Sequence, residues 1–389
     1  MKFLHTADWH LGAKTNGRDR LVEQKRTLDE IESIATHENV DCVIIAGDIF
    51  NTATPSAETE ELFFDTIQKL SNGGDRFVFV LAGNHDDPTR LSAGLPLASK
   101  HNIALVSSLA KLSESSFNKN GLIKVVETGK GHIKIKKNEE IATIAYLPYP
   151  TEARISEKVD SSLSYAEKVN EWSQISAGAF SDDTFNIFVS HLFMVGSKTN
   201  DGIIKVGDIM AVPTNMIPKA DYTALGHIHS AQDLGNNIFY SGAITKLNIK
   251  NTDLSVNIVE SENGKLVDIK KVALKNPAKY QKLSVSSIEE ANDKLLNYDN
   301  LDIIELEFIQ NEPLSASSIK ALKKDFPCIS NISLIRQNLQ NNEPRQASRI
   351  STNDVDLFKD FYKLVRGTEP SEDLVKMFIE CKGDDNETN

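Results

Sequence analysis

The sequence predicts a layered α/β fold with a reactive site at its strand ends. Three observations predict it. Short apolar runs alternate with stretches of helical periodicity, polar motifs follow directly on those runs, and no apolar stretch reaches the ~20 residues that span a bilayer. Phe3-Leu4-His5-Thr6, Cys42-Val43-Ile44-Ile45-Ala46, Phe77-Val78-Phe79-Val80-Leu81 and Phe185-Asn186-Ile187-Phe188-Val189 read as buried strands. Between the first two, Leu21, Leu28, Ile31 and Ala35 share a helical face, and between the second and third so do Leu62, Phe63, Ile67 and Leu70.

The remaining elements follow in order. Residues 122 to 147 read as β-hairpins, with turn signals at Gly129-Lys-Gly131 and Lys137-Asn138. A length of 389 residues exceeds one ordinary core and predicts two or three domains, the first ending at 275. The character changes near Asn276-Pro277. Residues 276–338 then read as a small α+β module in the order strand, helix, strand, helix, strand: Lys282–Val285, Ile288–Leu296, Ile303–Phe308, Ala316–Phe326 and Ile332–Ile335. Asn-, Gln- and Pro-rich residues 339–350 read as a linker. Residues 351–382 read as two short helices, the first capped by Ser351 or Asn353 and stopped by Gly367, the second capped by Ser371. Residues 383–389 form a polar tail, expected to be disordered.

Bulk properties narrow the function. The formal charge is −12, whereas a stand-alone DNA binder usually shows a basic face, so any DNA contact is expected to be local or supplied by a partner. Cys42, Cys328 and Cys381 form no CxxC pair and leave an odd count, which fits a reducing cytoplasm. Met1 to His5 run straight into polar Thr6 and Asp8, so no secretory segment is expected there.

Five segments carry the chemistry: Asp8-Trp9-His10, Gly47-Asp48, Gly83-Asn84-His85-Asp86, Ser190-His191 and Gly226-His227-Ile228-His229. Each follows an apolar strand, where α/β sheets gather their ligands. Asp8 and His10 lie two apart and would share a face of a strand, as would His227 and His229. Carboxylate, amide oxygen and imidazole together suit Mn²⁺, Fe²⁺ or Zn²⁺ without thiolate. Asp48 has two oxygens and can bridge metals ~3.5–4 Å apart; such a pair grips a phosphodiester and acidifies water between them. His85 is placed to donate to a phosphate oxygen or leaving group, and Asp86 to orient its ring. Nine His occur and five fall in these segments, whereas a lone Asp-x-His would signify little. His5 reads as a core or supporting residue, and His37, His101 and His132 as surface residues.

In this order the segments resemble the calcineurin-like metallophosphoesterases. The resemblance is tighter to the bacterial DNA-repair nucleases of that superfamily, through Thr6-Ala-Asp8-Trp-His10-Leu-Gly12, Ala46-Gly-Asp48-Ile-Phe-Asn51, Ala82-Gly-Asn84-His-Asp86, Leu147-Pro-Tyr-Pro150 and Gly226-His-Ile-His229 before Tyr240-Ser-Gly242. It covers essentially the whole chain. It implies a four-layer β-sandwich flanked by helices, with 276–338 as a capping and DNA-binding domain. One metal would take Asp8, His10, Asp48 and His229, and the other Asp48, Asn84, His191 and His227, with Mn²⁺ as the expected cofactor and His85 as the catalytic histidine. The implied activities are ATP-dependent 3′–5′ exonuclease action on double strands and endonuclease action on hairpins and single strands, in DNA repair, replication and recombination. The implied partner is an SMC-like coiled-coil ATPase, in a heterotetramer built on a homodimer of this chain, cytoplasmic and nucleoid-associated. Two positions depart from the pattern: Asn51, where many relatives carry Asp, and Ala243, where Ser is common.

Other features have competing readings. Lys14 and Arg18 follow the first ligands and Arg90 follows the histidine motif; each is a candidate for DNA phosphate, against the alternative of a solvated surface. Gly196-Ser-Lys-Thr199 lacks the spacing of a phosphate-binding loop, so ATP would belong to another chain. Phe358, Phe361, Tyr362 and Val365 form one apolar stripe and Leu374, Phe378 and Ile379 another. A hairpin of that size has little core of its own, so Phe358, Phe361, Tyr362 and Phe378 are expected to grip the ATPase coiled coil. The residues alone leave open a phosphatase or a non-catalytic DNA-end tether. The GD-I-F-N and GNH-D wording differs from the protein phosphatases, and the intact ligand set speaks against a mere tether.

Overall fold

A computed structural model describes residues 1–151, 159–160, 162–199, 202–203, 210–247, 249, 254–275, 277–336, 362, 370–371 and 374–375. The chain divides into two units, Met1–Arg336 and Gln337–Asn389.

The first unit opens with β1 (Lys2–Thr6), α1 (Leu21–His37), β2 (Cys42–Ala46), α2 (Ala57–Leu70), β3 (Phe77–Leu81), α3 (Pro88–Ala93) and β4 (Ile103–Val106). The hairpins follow as β5 (Lys124–Gly129), β6 (His132–Lys137) and β7 (Glu140–Leu147). Then come α4 (Tyr165–Ala177), β8 (Phe185–His191), β9 (Tyr222–Gly226), β10 (Ile238–Tyr240), β11 (Ser255–Glu262) and β12 (Lys265–Ala273). One sheet has the order β12-β11-β1-β2-β3-β4; the other runs β10-β9-β8-β7-β6-β5, with Gln232–Asp233 edging β10. Strands β1 to β4 are mutually parallel, and so are β7 to β10.

The two sheets pack face to face. In β2, Cys42, Ile44 and Ala46 join the core between the sheets, while Val43 and Ile45 join the core under α1 and α2. Both faces of the strand are covered, so its sequence is apolar throughout rather than alternating. Leu28, Ile31 and Ala35 of α1 and Phe63, Ile67 and Leu70 of α2 are the buried helix stripe that the periodicity predicted. On the second sheet lies α4, through Val169 and Trp172, with a capping box between Ser164 and Glu167 at its start. Helix, sheet, sheet, helix is the four-layer order. Because the parallel strands of each sheet share one direction, their carboxyl ends reach the same rim.

Residues 277–336 form β13 (Tyr280–Val285), α5 (Ile288–Leu295), β14 (Ile303–Ile309), α6 (Ala316–Asp325) and β15 (Ile329–Ile335). The strands are parallel in the order β13-β14-β15, so each helix is a crossover; the strand–helix order was legible, the parallel pairing was not. This module has its own core around Leu306, Phe308, Ala291 and Leu295. It docks on the segment just after the first motif: Arg18 donates to the carbonyls of Asn300 and Asp302, and Arg26 pairs with Asp299 at 3.3 Å.

In the second unit, Tyr362, Leu374 and Val375 are helical, and the Leu374 N–H donates to Ser371 Oγ at 3.3 Å, as a helix cap does. Phe358, Phe361 and Phe378, the linker and the tail lie outside the described residues. Among the described residues no helix is long and apolar enough to cross a membrane.

Candidate metal centre

The five motifs meet at the rim shared by the two sheets. The first sheet delivers Asp8 and His10 after β1, Asp48 after β2, and Asn84 and His85 after β3; the second delivers His191 as the last residue of β8, and His227 and His229 after β9. Asp8 with His10, and His227 with His229, were expected to share a strand face, and here the structure differs. All four lie beyond their strands, and Asp8, His10 and His227 have positive φ of 52°, 44° and 99°. Convergence therefore comes from left-handed turns rather than from the pleat. Each such residue costs about 1–2 kcal/mol for an L side chain, and Asp48, with φ 50°, is a further case.

Backbone pairing offsets that cost. The Asp8 N–H donates to the Gly47 carbonyl, His10 to Asp48 and Leu11 to Ile49, each at 2.9–3.0 Å. The His227 N–H donates to Asp8 Oδ1 at 2.9 Å and the His85 N–H to Asp48 Oδ1 at 2.9 Å, so ligand side chains also cap neighbouring loops. Two glycines are explained by crowding. A Cβ on Gly47, itself at φ 92°, would collide with the His191 ring, and one on Gly226 with the Ala46 carbonyl.

The donor atoms gather in overlapping clusters. Asp8, His10 and His229 form one and Asp48, His191 and His227 another, the ligand atoms of each lying within 4.8 Å of one another, with Asp48 also clustered with His10 and His85. Nε2 of His10 stands 3.1 Å from Nε2 of His229; Nδ1 of His227 stands 3.1 Å from Nε2 of His191, which lies 3.1 Å from Asn84 Oδ1 and 3.2 Å from Asp48 Oδ2. Imidazole nitrogens aimed at one another, with carboxylate oxygens between, have the geometry of ligands around a shared cation. These donor types at these separations fit divalent metal binding.

A sequence profile of the calcineurin-like phosphoesterases matches residues 1–231. The chain belongs to that family. A relative from Bacillus subtilis, named as the SbcD subunit of the nuclease SbcCD, is 31% identical over 98% of this chain and 97% of its own length. Proteins of the same name from Staphylococcus epidermidis and Escherichia coli K12 are 26% and 29% identical, over 71% and 69% of this chain and 70% and 67% of theirs. Among solved structures, a dimetal phosphatase from Danio rerio aligns at a TM-score of 0.39 and 11% identity, covering 70% of this chain and 99% of that one. At that level the likeness adds nothing to the assignment.

Electrostatics in this phosphoesterase favour cation binding. Burial holds His10 and His227 at about 3, and lowers His229 also, so their lone pairs are available near neutrality. Burial pushes the Asp8 carboxyl up to about 7. At His191 burial opposes charge, yet the Asp48 and Asp8 carboxylates outweigh it and raise the ring to about 9. Asp48, facing His191 and His10, stays well below the usual carboxylate range despite its burial. A cation must therefore displace protons from His191 and Asp8.

His85 is exposed beside His10, their ring centroids 4.9 Å apart. Its Nδ1 lies 2.8 Å from the Asn51 carbonyl. That contact corrects the role expected for Asp86. The Asp86 carboxylate is wholly buried and accepts from the N–H groups of Ile49, Phe50 and Gly83 at 2.8–3.2 Å. It ties the Asp48 loop to the Asn84 loop, and the Asn51 carbonyl orients His85. Any residue at 51 supplies a carbonyl, so the departure from Asp there leaves the contact intact; a backbone group has no sequence signal. Tyr149 and Phe193 were also missed as site neighbours. The Phe193 ring centroid is 3.9 Å from that of His227, and that of Tyr149 is 5.8 Å from it; Leu147-Pro-Tyr-Pro150, following β7 to the same rim, was the available signal for Tyr149.

The remaining histidines and cations have found places. His5 is buried, its Nδ1 2.8 Å from the Tyr222 hydroxyl. His37 and His101 are exposed, and His132 is half-buried against Glu127 at 3.1 Å. Arg18 is engaged by the module, Arg90 pairs with Glu60 at 2.7 Å, and the Lys14 side chain is exposed.

Proposed function

We propose that this phosphoesterase is the nuclease subunit of an SbcCD-type complex and hydrolyses DNA phosphodiesters with two Mn²⁺ ions. The observation that carries the reading is the convergence of Asp8, His10, Asp48, Asn84, His191, His227 and His229 on one rim with His85 beside them. Relatives named as nucleases, and as one component of a larger assembly, support nucleic acid as substrate and a second chain as partner. That partner is the SMC-like ATPase SbcC, gripped by residues 351–382. The assembly is a heterotetramer on a homodimer of this chain, and it acts on ends, hairpins and single strands in DNA repair, replication and recombination, with ATP driving 3′–5′ exonuclease action on double strands.

One cation would be held by Asp8, His10, Asp48 and His229 and the other by Asp48, Asn84, His191 and His227, where they would draw electron density from the phosphodiester and acidify the attacking water. The protein's own part is proton handling and placement. Donation from His85 Nδ1 to the Asn51 carbonyl sets the tautomer. In its imidazolium form the ring carries a second proton on Nε2, which passes to the departing sugar oxygen as the P–O bond breaks and leaves the neutral Nδ1–H tautomer. Asp86 keeps the loops of Asp48 and Asn84 in register through that step. Lys14 contacts a DNA phosphate beyond the scissile one; Arg18 and Arg90 are committed to protein partners.

The test uses the purified chain with Mn²⁺ and labelled hairpin DNA, alongside His85→Gln and a nitrophenyl phosphate control. Cleavage is expected to fall by about 10²–10⁴-fold in the variant, with metal binding retained. No DNA cleavage with or without the ATPase defeats the reading, and turnover of the monoester alone makes the chain a phosphatase.

A further inference from the structure

Gln24 lies on the same face of α1 as Leu28, Ile31 and Ala35, and all four are buried. A buried side-chain amide has to find hydrogen-bond partners, because an unpaired one in the core is costly. Its partners are in the first metal loop. Nε2 donates to the His10 carbonyl at 2.8 Å and lies 3.4 Å from the Trp9 carbonyl, and Oε1 accepts from the Gly12 N–H at 3.0 Å. One side chain thus holds the loop on both sides of His10.

The loop needs holding. Asp8 and His10 both sit in left-handed backbone, and such conformations persist only where the surroundings over-determine them. One flank is zipped to the Asp48 loop through the main chain; the other flank meets Gln24. The start of α1 is itself fixed. Arg20 is buried, pairs with Glu23 through both Nε and Nη2 at 2.8 Å, and donates to the Lys246 carbonyl at 2.6 Å. Asp86 braces the Asp48 loop as Gln24 braces the His10 loop, by buried hydrogen bonds to its main chain.

We propose that Gln24 is a positioning residue: by fixing the His10 carbonyl and the Gly12 N–H it aims the His10 imidazole at the subsite shared with Asp8 and His229. The subsite of Asn84, His191 and His227 has no contact with it among the described residues. The inference rests on the two-metal reading above and goes beyond it by naming what holds one subsite in shape.

Titration of the full-length chain with Mn²⁺, followed by calorimetry and by the Mn²⁺ paramagnetic resonance spectrum, tests it. Gln24→Met keeps the volume and removes both hydrogen bonds; Gln24→Glu keeps an acceptor for Gly12 and sets a carboxylate against the Trp9 and His10 carbonyls. In both variants one Mn²⁺ step is expected to weaken by about 10–100-fold, the scale on which outer partners of metal ligands act. The other step stays within about threefold, and saturating Mn²⁺ restores cleavage. Wild-type affinity at both steps in Gln24→Met overturns the proposal. So does parallel weakening of both steps with a lowered melting temperature, which marks a merely structural role. A wild-type chain that binds no second Mn²⁺ overturns the two-metal reading and this inference with it, and the wild-type titration alone identifies that case.

Discussion

The two sheets bring unlike ligands to their common rim. The first contributes the oxygens, Asp8, Asp48 and Asn84, together with His10 and the catalytic candidate His85; the second contributes only imidazoles, His191, His227 and His229. The first sheet's ligands sit largely on left-handed loops tied by buried side chains. His191, by contrast, is still within its strand, its Nδ1 2.9 Å from the Ala46 carbonyl of the opposite sheet. The difference teaches where charge and strain are concentrated. Asp8 and Asp48, and His10 and His227 with them, are carried on left-handed loops over-determined by neighbours, while His191 is positioned by regular strand geometry and packing.

The contrast breaks most sharply at Asp48, which clusters both with His10 and with His191 and His227. Asp48→Asn is expected to weaken both Mn²⁺ steps and to lower DNA cleavage on the order of 10³-fold or more, whereas His191→Ala should weaken one step and spare the other. Calorimetric titration of both variants checks this; one weakened step in Asp48→Asn would mean the carboxylate is not shared. A smaller effect follows from protons. Those on Asp8, at about 7, and His191, at about 9, must leave when metal binds. Affinity should therefore rise as pH rises from 6 to 9, up to about tenfold per unit for each proton released. Titrations at three pH values in that window read the slope directly, and a flat profile would place these protons elsewhere. The smallest effect on the centre is expected from the second unit. A chain ending at Ile350 should keep both Mn²⁺ affinities and hairpin cleavage within about twofold while losing co-purification with the ATPase. Retained co-purification would remove the partner role of Phe358, Phe361, Tyr362 and Phe378.

Much of this was legible in the linear sequence. Runs such as Cys42–Ala46 declared buried strands, and motifs after five of them declared a metal rim, because a parallel strand has only one carboxyl end at which to display a ligand. Even the strand–helix order of the 277–336 module could be read from periodicity. Less legible was how the loops hold their shape. The positive φ of Asp8, His10 and His227 belongs to residues whose local preference is otherwise, and only surrounding hydrogen bonds make it stable. The Asn51 carbonyl behind His85 is a backbone atom, and Arg18 reads as a free cation until Asn300 and Asp302 arrive from far along the chain. Gln24 carried no signal in the sequence, because its partners are backbone atoms of the first loop. Sequence by itself determined which donors this protein owns and at which strand ends they stand, since those follow from residue type and periodicity. The tertiary structure decided which donors cluster and which side chains brace them. Those contacts join residues tens to hundreds of positions apart, and no local pattern carries a distance of that kind.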